Sequence, residues 1–574
     1  MDDALAIEAT IKVNGTQLED RLAAHVEQLL VDEDLHRPAM FCMTLLDPDR
    51  NIVKECGLRA GAEVEIAATG EGASGDGKLL IGKVVTVECE YDDSRTDVVV
   101  RGYAATHQLH GGRHTRVFND VTDSDIVTAV AGEAGLELGE IEATSEVHEQ
   151  VTQANQTDWE FLMSRARPIG FDLTISDGAL DFTRRGTSED APPESDVDSD
   201  PSGINPRQLV YGFNLDRFHG RISGAEQVAD VEVHGWDPAQ KKAFVGRAPA
   251  GTGAAGLSVT DPTRLAGVHK NPMYVEVTAS VTTAEQAGGV ATAIAERIGS
   301  AFAEVEGEAH GNTELRAGAA VRISKVNDDF NGAYVLSHVR HVIDRQGYRT
   351  HFTVSGHHDR SLLGMITAGT NGNGTSGSQK SVGGRQNNWF GLVRGLVSSI
   401  DDQEKLGRVK VELPWLAEEF SSAWAPVVQL GAGPKSGTFF LPAVGDEVLV
   451  GFEHGNIDRP IVVGGLFNAM DAPPEYGHFL DNGKVTGRSI TSRNGHEIAM
   501  YDADDNSGMS FMVVNGSGSP VVTIGLNADD NKLVIQSEGN VEVNAEREIT
   551  LTGQKITVQA QGDLVLKGGM VKIN

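Results

Sequence analysis

The most regular alternation of apolar and polar positions lies in the last forty residues. From Leu533 a four-residue phrase recurs: Leu533-Val-Ile-Gln, Val541-Glu-Val-Asn, Ile549-Thr-Leu-Thr, Ile556-Thr-Val-Gln, Leu564-Val-Leu-Lys and Val571-Lys-Ile-Asn, with starts seven or eight residues apart. Each phrase carries apolar residues at i and i+2, which point to one face of a strand. Gly, Asn, Gln, Asp and Glu between phrases favour turns or solvent. A short fixed period predicts a β-helix or prism of stacked strands. One such ribbon has nothing to cover its apolar row, and a row that stays wet gains too little to offset the backbone entropy of ordering it. Several copies winding together, three of them, are therefore expected. The alternative is the edge of an ordinary single-chain sheet. The expected shared core is Ile535, Val541, Val543, Ile549, Leu551, Ile556 and Val558.

The rest of the chain is mainly β with some α. Residues 7–13, 39–46 and 78–91 alternate as strands, and Asn14-Gly15 reads as a turn. Asp123 is placed to cap a helix over 124–134 stopped by Gly135. Thr157-Asp-Trp-Glu160 is a capping box opening a helix over 159–167, closed by Pro168. Strands over 171–176 and 179–183 flank Asp177-Gly178. Residues 186–206 have almost nothing to bury and read as a mobile acidic loop. Strands follow at 208–214, 229–234 and 273–281, a helix at 282–305, and strands at 320–326, 332–343 and 350–355. Residues 370–384 have the Gly/Ser/Asn composition of a flexible linker. Beyond it, short strands over 390–400, 407–413, 423–430, 447–452 and 460–466 suit an OB-type barrel. The expected domains are 1–365, a linker 366–388, a barrel 389–468 and a needle 469–574.

A net charge of −34 over 574 residues makes nucleic-acid binding a poor reading. The barrel also offers no basic groove or stacked aromatic row. The three cysteines, Cys42, Cys56 and Cys89, suggest buried thiols rather than a disulfide scaffold or zinc site. The N-terminus lacks a basic leader and no apolar run reaches eighteen residues, so a protein made in the cytoplasm, neither membrane-spanning nor Sec-exported, is expected.

Candidate chemistry is sparse. Gly70, Gly72 and Gly75 spell G-x-G-x-x-G, but a strand follows where a dinucleotide site needs a helix. His107, His110 and His114 are the best metal candidate; Gly111-Gly112 interrupts them, and a surface loop is the expectation. His357-His358-Asp359 reads the same way. Asp446, Glu447, Glu453 and Asp458 could be drawn as a catalytic carboxylate set but sit where charged turns are expected. No hydrolase, metalloprotease or P-loop motif occurs. The expectation is a protein that is not an enzyme and holds no cofactor or metal.

Tyr103-x₅-Leu109-x₃-Arg113-x-Thr115-Arg116-x-Phe118, Thr122-Asp-Ser-Asp-Ile126, Ala131-Gly-Glu-Ala-Gly-Leu136 and Gln153-x-Asn155-Gln-Thr-Asp-Trp-Glu-Phe-Leu162 together resemble the phage late-control D (gpD) domain, the hub of VgrG-type spike proteins. The likeness spans roughly residues 5–360. Gly407-Arg-Val-Lys-Val-x-Leu-Pro-Trp415, Trp424-Ala-Pro-Val427, the run from Gly437 to Val450 and Phe452-Glu-x-Gly-x-x-x-Arg459-Pro are similar to the OB domain of the phage baseplate spike and of VgrG. Residues 489–505 resemble the Gly-His stretch that opens the family's needle, with His496 as a packing or hydrogen-bonding element.

These resemblances imply hub β-barrels with helical additions, an OB-fold barrel and an intertwined trimeric needle. They imply the central spike of a contractile injection system baseplate, like a phage tail or a type VI secretion system. Its partners would be two further copies, an inner tube protein, baseplate proteins and the target envelope. The repeats run up to Asn574, so no effector domain is expected after them. A separate PAAR-type tip protein is expected to dock on Leu564, Val565, Leu566, Val571, Ile573 and Asn574. The finished assembly would be a phage tail-like particle that can be released from the cell. The alternatives are an envelope-degrading tail enzyme and a β-solenoid carbohydrate-binding adhesin.

Overall fold

The computed structural model describes residues 8–573 apart from 70–76, 93, 94, 177, 196–203, 238, 239, 241, 271, 278–280, 282, 357–390, 475 and 505. The chain divides into two compact units, Met1–Leu466 and Phe467–Asn574. Hub and small barrel thus form one body.

An eleven-stranded sheet dominates the first unit and knits distant parts of the chain together. Its centre is the antiparallel pairing of Val26–Asp34 with His338–Asp344, with Val31 opposite His341. On one side stand the N-terminal strands through Arg37–Leu46, Thr96–Ala104 and Lys78–Tyr91; on the other stand Gly347–Val354, Ala303–His310 and Leu215–Ile222. Phe41, Met43, Val64 and Leu79 fill one core, and Phe302, Tyr334 and Phe352 another.

A helical layer sits between them in sequence. The helix Asp123–Glu133 is capped by Thr122, whose hydroxyl accepts from the Asp125 amide while Asp125 returns the bond. This corrects the assignment of Asp123 as cap. Asp123 is instead buried, pairing with Arg165 at 2.6 Å and His148 at 3.1 Å. The Thr157–Glu160 capping box forms as expected and opens Asp158–Ala166. Phe161, Leu162 and Phe182 close this core.

The third long helix, Ala284–Ser300, is shorter than expected, because residues 303–310 form the strand Ala303–His310, paired on both sides. The strands Leu215–Ile222 and Lys242–Pro249 had no counterpart in the sequence reading. The acidic segment also differs where it is described. Ser188 lies buried in a 3₁₀ turn, its amide donating to Gly253 O at 2.6 Å. Ser195 exchanges two hydrogen bonds with the Gln208 side chain. The linker 366–388 and His357-His358-Asp359 lie outside the described residues, as do Gly70, Gly72 and Gly75.

The small barrel has the strand order Ala425–Pro426, Arg408–Glu412, Leu392–Ser399, Glu447–Phe452, Pro460–Gly465. Val427 bridges in parallel to Val462, so the two edge strands meet and the barrel nearly closes. The strand His148–Gln156, paired with His114–Val121, packs into it, with Ala154 part of the barrel core and the Gln150 amide donating to Ser421 O at 3.2 Å.

In the second unit five strands follow one another as an antiparallel meander: Gly487–Thr491, Glu497–Ala503, Asn506–Val514, Pro520–Asn527 and Lys532–Ser537. The phrase beginning at Leu533 is therefore the last strand of the meander rather than the first rung of the needle. Among the described residues beyond it, 538–573 form no strand pairs within the chain.

Candidate functional site

The meander sets apolar residues in rows. Ile490 stands opposite Ile498, Ile498 opposite Phe511, Phe511 opposite Ile524, and Ile524 opposite Ile535. Two residues along each strand, Met500, Met509, Leu526 and Leu533 make a second row on the same face. Most intervening positions, such as Ser489, Ala499, Ser510 and Gly525, are small or polar and line the opposite face, which also carries Tyr501, Met512 and Val534. A sheet with one apolar face buries that face against something. Here it is open: Phe511 is 40% exposed and Ile535 58%.

The ribbon continues the pattern. Every described residue from 538 to 573 is exposed. The expected core residues Val541, Val543, Ile549, Leu551, Ile556 and Val558 all lie in the solvent of the single chain, and so does Ile535 in the meander. Leu564, Val565, Leu566, Val571 and Ile573, the expected tip-docking residues, are likewise exposed, Ile573 at 85%. Asn574 lies outside the described residues. Large apolar side chains also protrude from the small barrel, where Leu430, Phe439 and Phe440 flank the short hairpin of Ala432–Gly433 and Ser436–Gly437. The alternation at 533–573 was legible in sequence. The rows across the meander were not, because they depend on strand register.

The groups that could have carried chemistry are each engaged separately. Asp446 accepts from the Ala443 amide at 2.8 Å, Glu447 pairs with Arg394 at 3.0 Å and Glu453 with Arg459 at 2.8 Å. Asp458 is buried at the hub–barrel junction, where Oδ2 accepts from the Thr152 amide at 3.4 Å. Burial pushes its carboxyl up to about 6, against the opposing effects of Thr152, Arg165 and His148. Four carboxylates with four different partners do not converge on a substrate.

His107 and His110 sit in a 3₁₀ turn rather than a surface loop, stacked in a ladder from Tyr103 through both imidazoles to Trp159. Burial, then the neighbouring His107, lowers the His110 pKa. His114 lies 3.9 Å from Asp158. Among the described residues no cluster of His, Cys, Asp and Glu has the geometry of a metal site. The cysteines depart from expectation: Cys56 is buried and its thiol pushed up to about 11 by burial, but Cys42 is half-buried and Cys89 exposed. His496 Nδ1 accepts from the Val514 amide at 3.3 Å, bracing the meander. Among the described residues no helix is long and apolar enough to cross a membrane.

Known proteins share this build. Residues 3–345 match the family described as the Alg8 N-terminal domain, and residues 393–467 the type VI secretion system/phage-baseplate injector OB domain. The actin cross-linking toxin VgrG1 of Vibrio cholerae is 28% identical over 173 residues, 29% of this chain and 15% of that protein. The type VI secretion system spike protein VgrG2a of Pseudomonas aeruginosa is 41% identical over 75 residues, 12% of this chain and 9% of that protein. The chain thus spans only a small part of the length of these relatives. A chain of the half-lidded Francisella PdpA-VgrG complex shares the fold, with a TM-score of 0.50 at 10% identity over 93% of this chain and 88% of that one. With more than half of its residues in the first match, the chain belongs to the Alg8 N-terminal domain family, and its small barrel is similar to that of VgrG spike proteins.

Proposed function

We propose that this chain is the central hub and spike of a contractile injection system baseplate, joining an inner tube to an envelope-piercing needle and its tip. It works as a homotrimer. The observation that carries this is the uncovered apolar face running from Ile490 to Ile535 and on through the exposed phrases to Ile573. Three copies placing those rows on a common axis satisfy both the apolar side chains and the unpaired backbone of 538–573. The role is mechanical: a stiff, multiply hydrogen-bonded needle transmits the force of sheath contraction, while the hub seals the tube. Catalysis has no part in it, in keeping with the dispersed carboxylates. The exposed phrases at 564–573, with backbone groups unpaired within the chain, are where a separate PAAR-type tip docks. Assembly takes place in the cytoplasm into a phage tail-like particle.

Light scattering of the purified chain tests this reading. A mass three times 61.1 kDa is expected, with Leu551→Asp reducing it to one chain. A stable monomer at micromolar concentration, its ribbon protected from hydrogen exchange, overturns it.

A further inference from the structure

The hub strand His148–Gln156 meets the small barrel with one face. Gln150, Thr152 and Ala154 alternate on that face. The Gln150 side chain donates to Ser421 O, the Thr152 amide donates to Asp458 Oδ2, and Ala154 enters the barrel core. Val151 and Gln153 point the other way. Val151 joins the core of the helical layer, and Gln153 donates to Asp158 Oδ1 at 2.8 Å. The hub residues that reach the barrel core are short: Ala154, and Val117 from the paired strand, opposite Thr152. Polar contacts therefore weigh more at this junction than in the large cores.

Two oxygen atoms at its centre stand unsatisfied. Asp458 Oδ1 and the Thr152 hydroxyl oxygen are both closed off from solvent, and neither has a hydrogen-bond partner. The hydroxyl lies beside the carboxyl without reaching hydrogen-bond geometry. Among the described residues the other carboxyl oxygen accepts from the Thr152 amide alone, at a long 3.4 Å. A hydroxyl turned to donate to an ionised carboxylate still leaves the charge dry and without a cation. A protonated carboxyl has no charge to solvate, and its O–H gives the Thr152 oxygen the bond it lacks.

Charged groups surround this pair, but none is bonded to it among the described residues. From the hub, Arg165 and His148 favour the ionised form, yet both are held by Asp123, at 2.6 and 3.1 Å. From the barrel, Glu453 and Arg459 pair with each other at 2.8 Å. His454, and Glu418 and Glu419 beside Ser421, are exposed. Burial prevails and pushes the Asp458 carboxyl up to about 6.

We propose that the contact of Asp458 with Thr152 is a proton-operated latch between hub and barrel: a protonated Asp458 holds the barrel docked on the strand His148–Gln156, and loss of that proton lets the barrel shift on the hub. Because the folded-state value is raised, the latch is closed at acid pH and opens as pH rises through about 6. It lies within one chain and works the same way in one copy or three.

Hydrogen exchange on the full chain, corrected for the chemical exchange rate at each pH, tests this. Between pH 5 and pH 8 the protection of segments 150–156 and 416–422 falls about tenfold or more, while that of the hub strand Arg37–Leu46 is unchanged. Asp458→Asn, whose amide is neutral and still donates, keeps its protection at both pH values. Thr152→Val removes the oxygen that receives the bond and lowers protection at pH 5 to near the value at pH 8. The difference infrared spectrum of the unaltered chain against Asp458→Asn shows the C=O stretch of a carboxylic acid at pH 5 and loses it at pH 8. Should Asp458→Asn fail to fold, the pH dependence of the unaltered chain and the loss in Thr152→Val still decide. Protection that does not change with pH, a pH dependence that persists in Asp458→Asn, or a Thr152→Val variant indistinguishable from the unaltered chain overturns the proposal.

Discussion

Residues 8–466 and the meander with its ribbon are built from strands of similar alternation, yet they place the apolar half of the pattern in opposite environments. In the hub, Phe41, Met43 and Leu45 alternate along one strand and are fully buried. In the meander, Ile498 and Met500 alternate in the same way and remain 41% and 42% exposed. In the hub, helices cover two of the smaller sheets, and the large sheet closes over cores built largely of its own strands. Past Ser537 the chain has no paired element of its own among the described residues. The same local code therefore yields a self-sufficient fold where the chain returns upon itself, and a surface that needs other copies where it does not.

Paired truncations test this contrast with the largest expected effect. Phe41→Ala in the hub and Phe511→Ala in the meander each remove a large ring, at about 3–5 kcal/mol when the ring is buried. The hub variant is expected to lower the melting temperature of the first unit independently of protein concentration. The meander variant is expected to weaken association, so its transition moves with concentration in calorimetric scans. Concentration-independent unfolding of the Phe511 variant would place its ring in a core of its own chain.

The hub–barrel junction provides a smaller effect with a defined sign. The folded-state pKa of Asp458, about 6, lies above its ordinary value. The folded state therefore binds the extra proton, and its stabilisation is complete below pH 4 and lost as pH rises through about 6. The difference amounts to up to about 3 kcal/mol. Denaturant titrations from pH 4 to 7 should show this slope, and Asp458→Asn should flatten it. The charged groups nearest the site, Arg165 and His148 with Asp123, remain in the variant as an internal reference. An unchanged slope would mean that the carboxylate is solvated in solution.

The smallest effect is local. Thr122→Ala should cost about 1 kcal/mol, the worth of one cap. Asp123→Ala should cost more, since it leaves the buried side of Arg165 without its carboxylate. The reverse ranking in urea unfolding would restore Asp123 as the cap.

Features that depend on near neighbours were legible along the chain. The Thr157–Glu160 box, the turn at Asn14-Gly15 and the strand Lys78–Tyr91 stand where spacing placed them, because caps, turns and alternation act over a few residues. The phrases of the ribbon were legible for the same reason. That Thr122 rather than Asp123 caps its helix depended on packing between elements, since both residues suit the role and the partners Arg165 and His148 come from other elements. Packing likewise decided that residues 303–310 leave the helix to become a strand held between two others. The apolar rows of the meander depend on register between segments, and register is a property of pairs of strands, which a single run of residues does not encode.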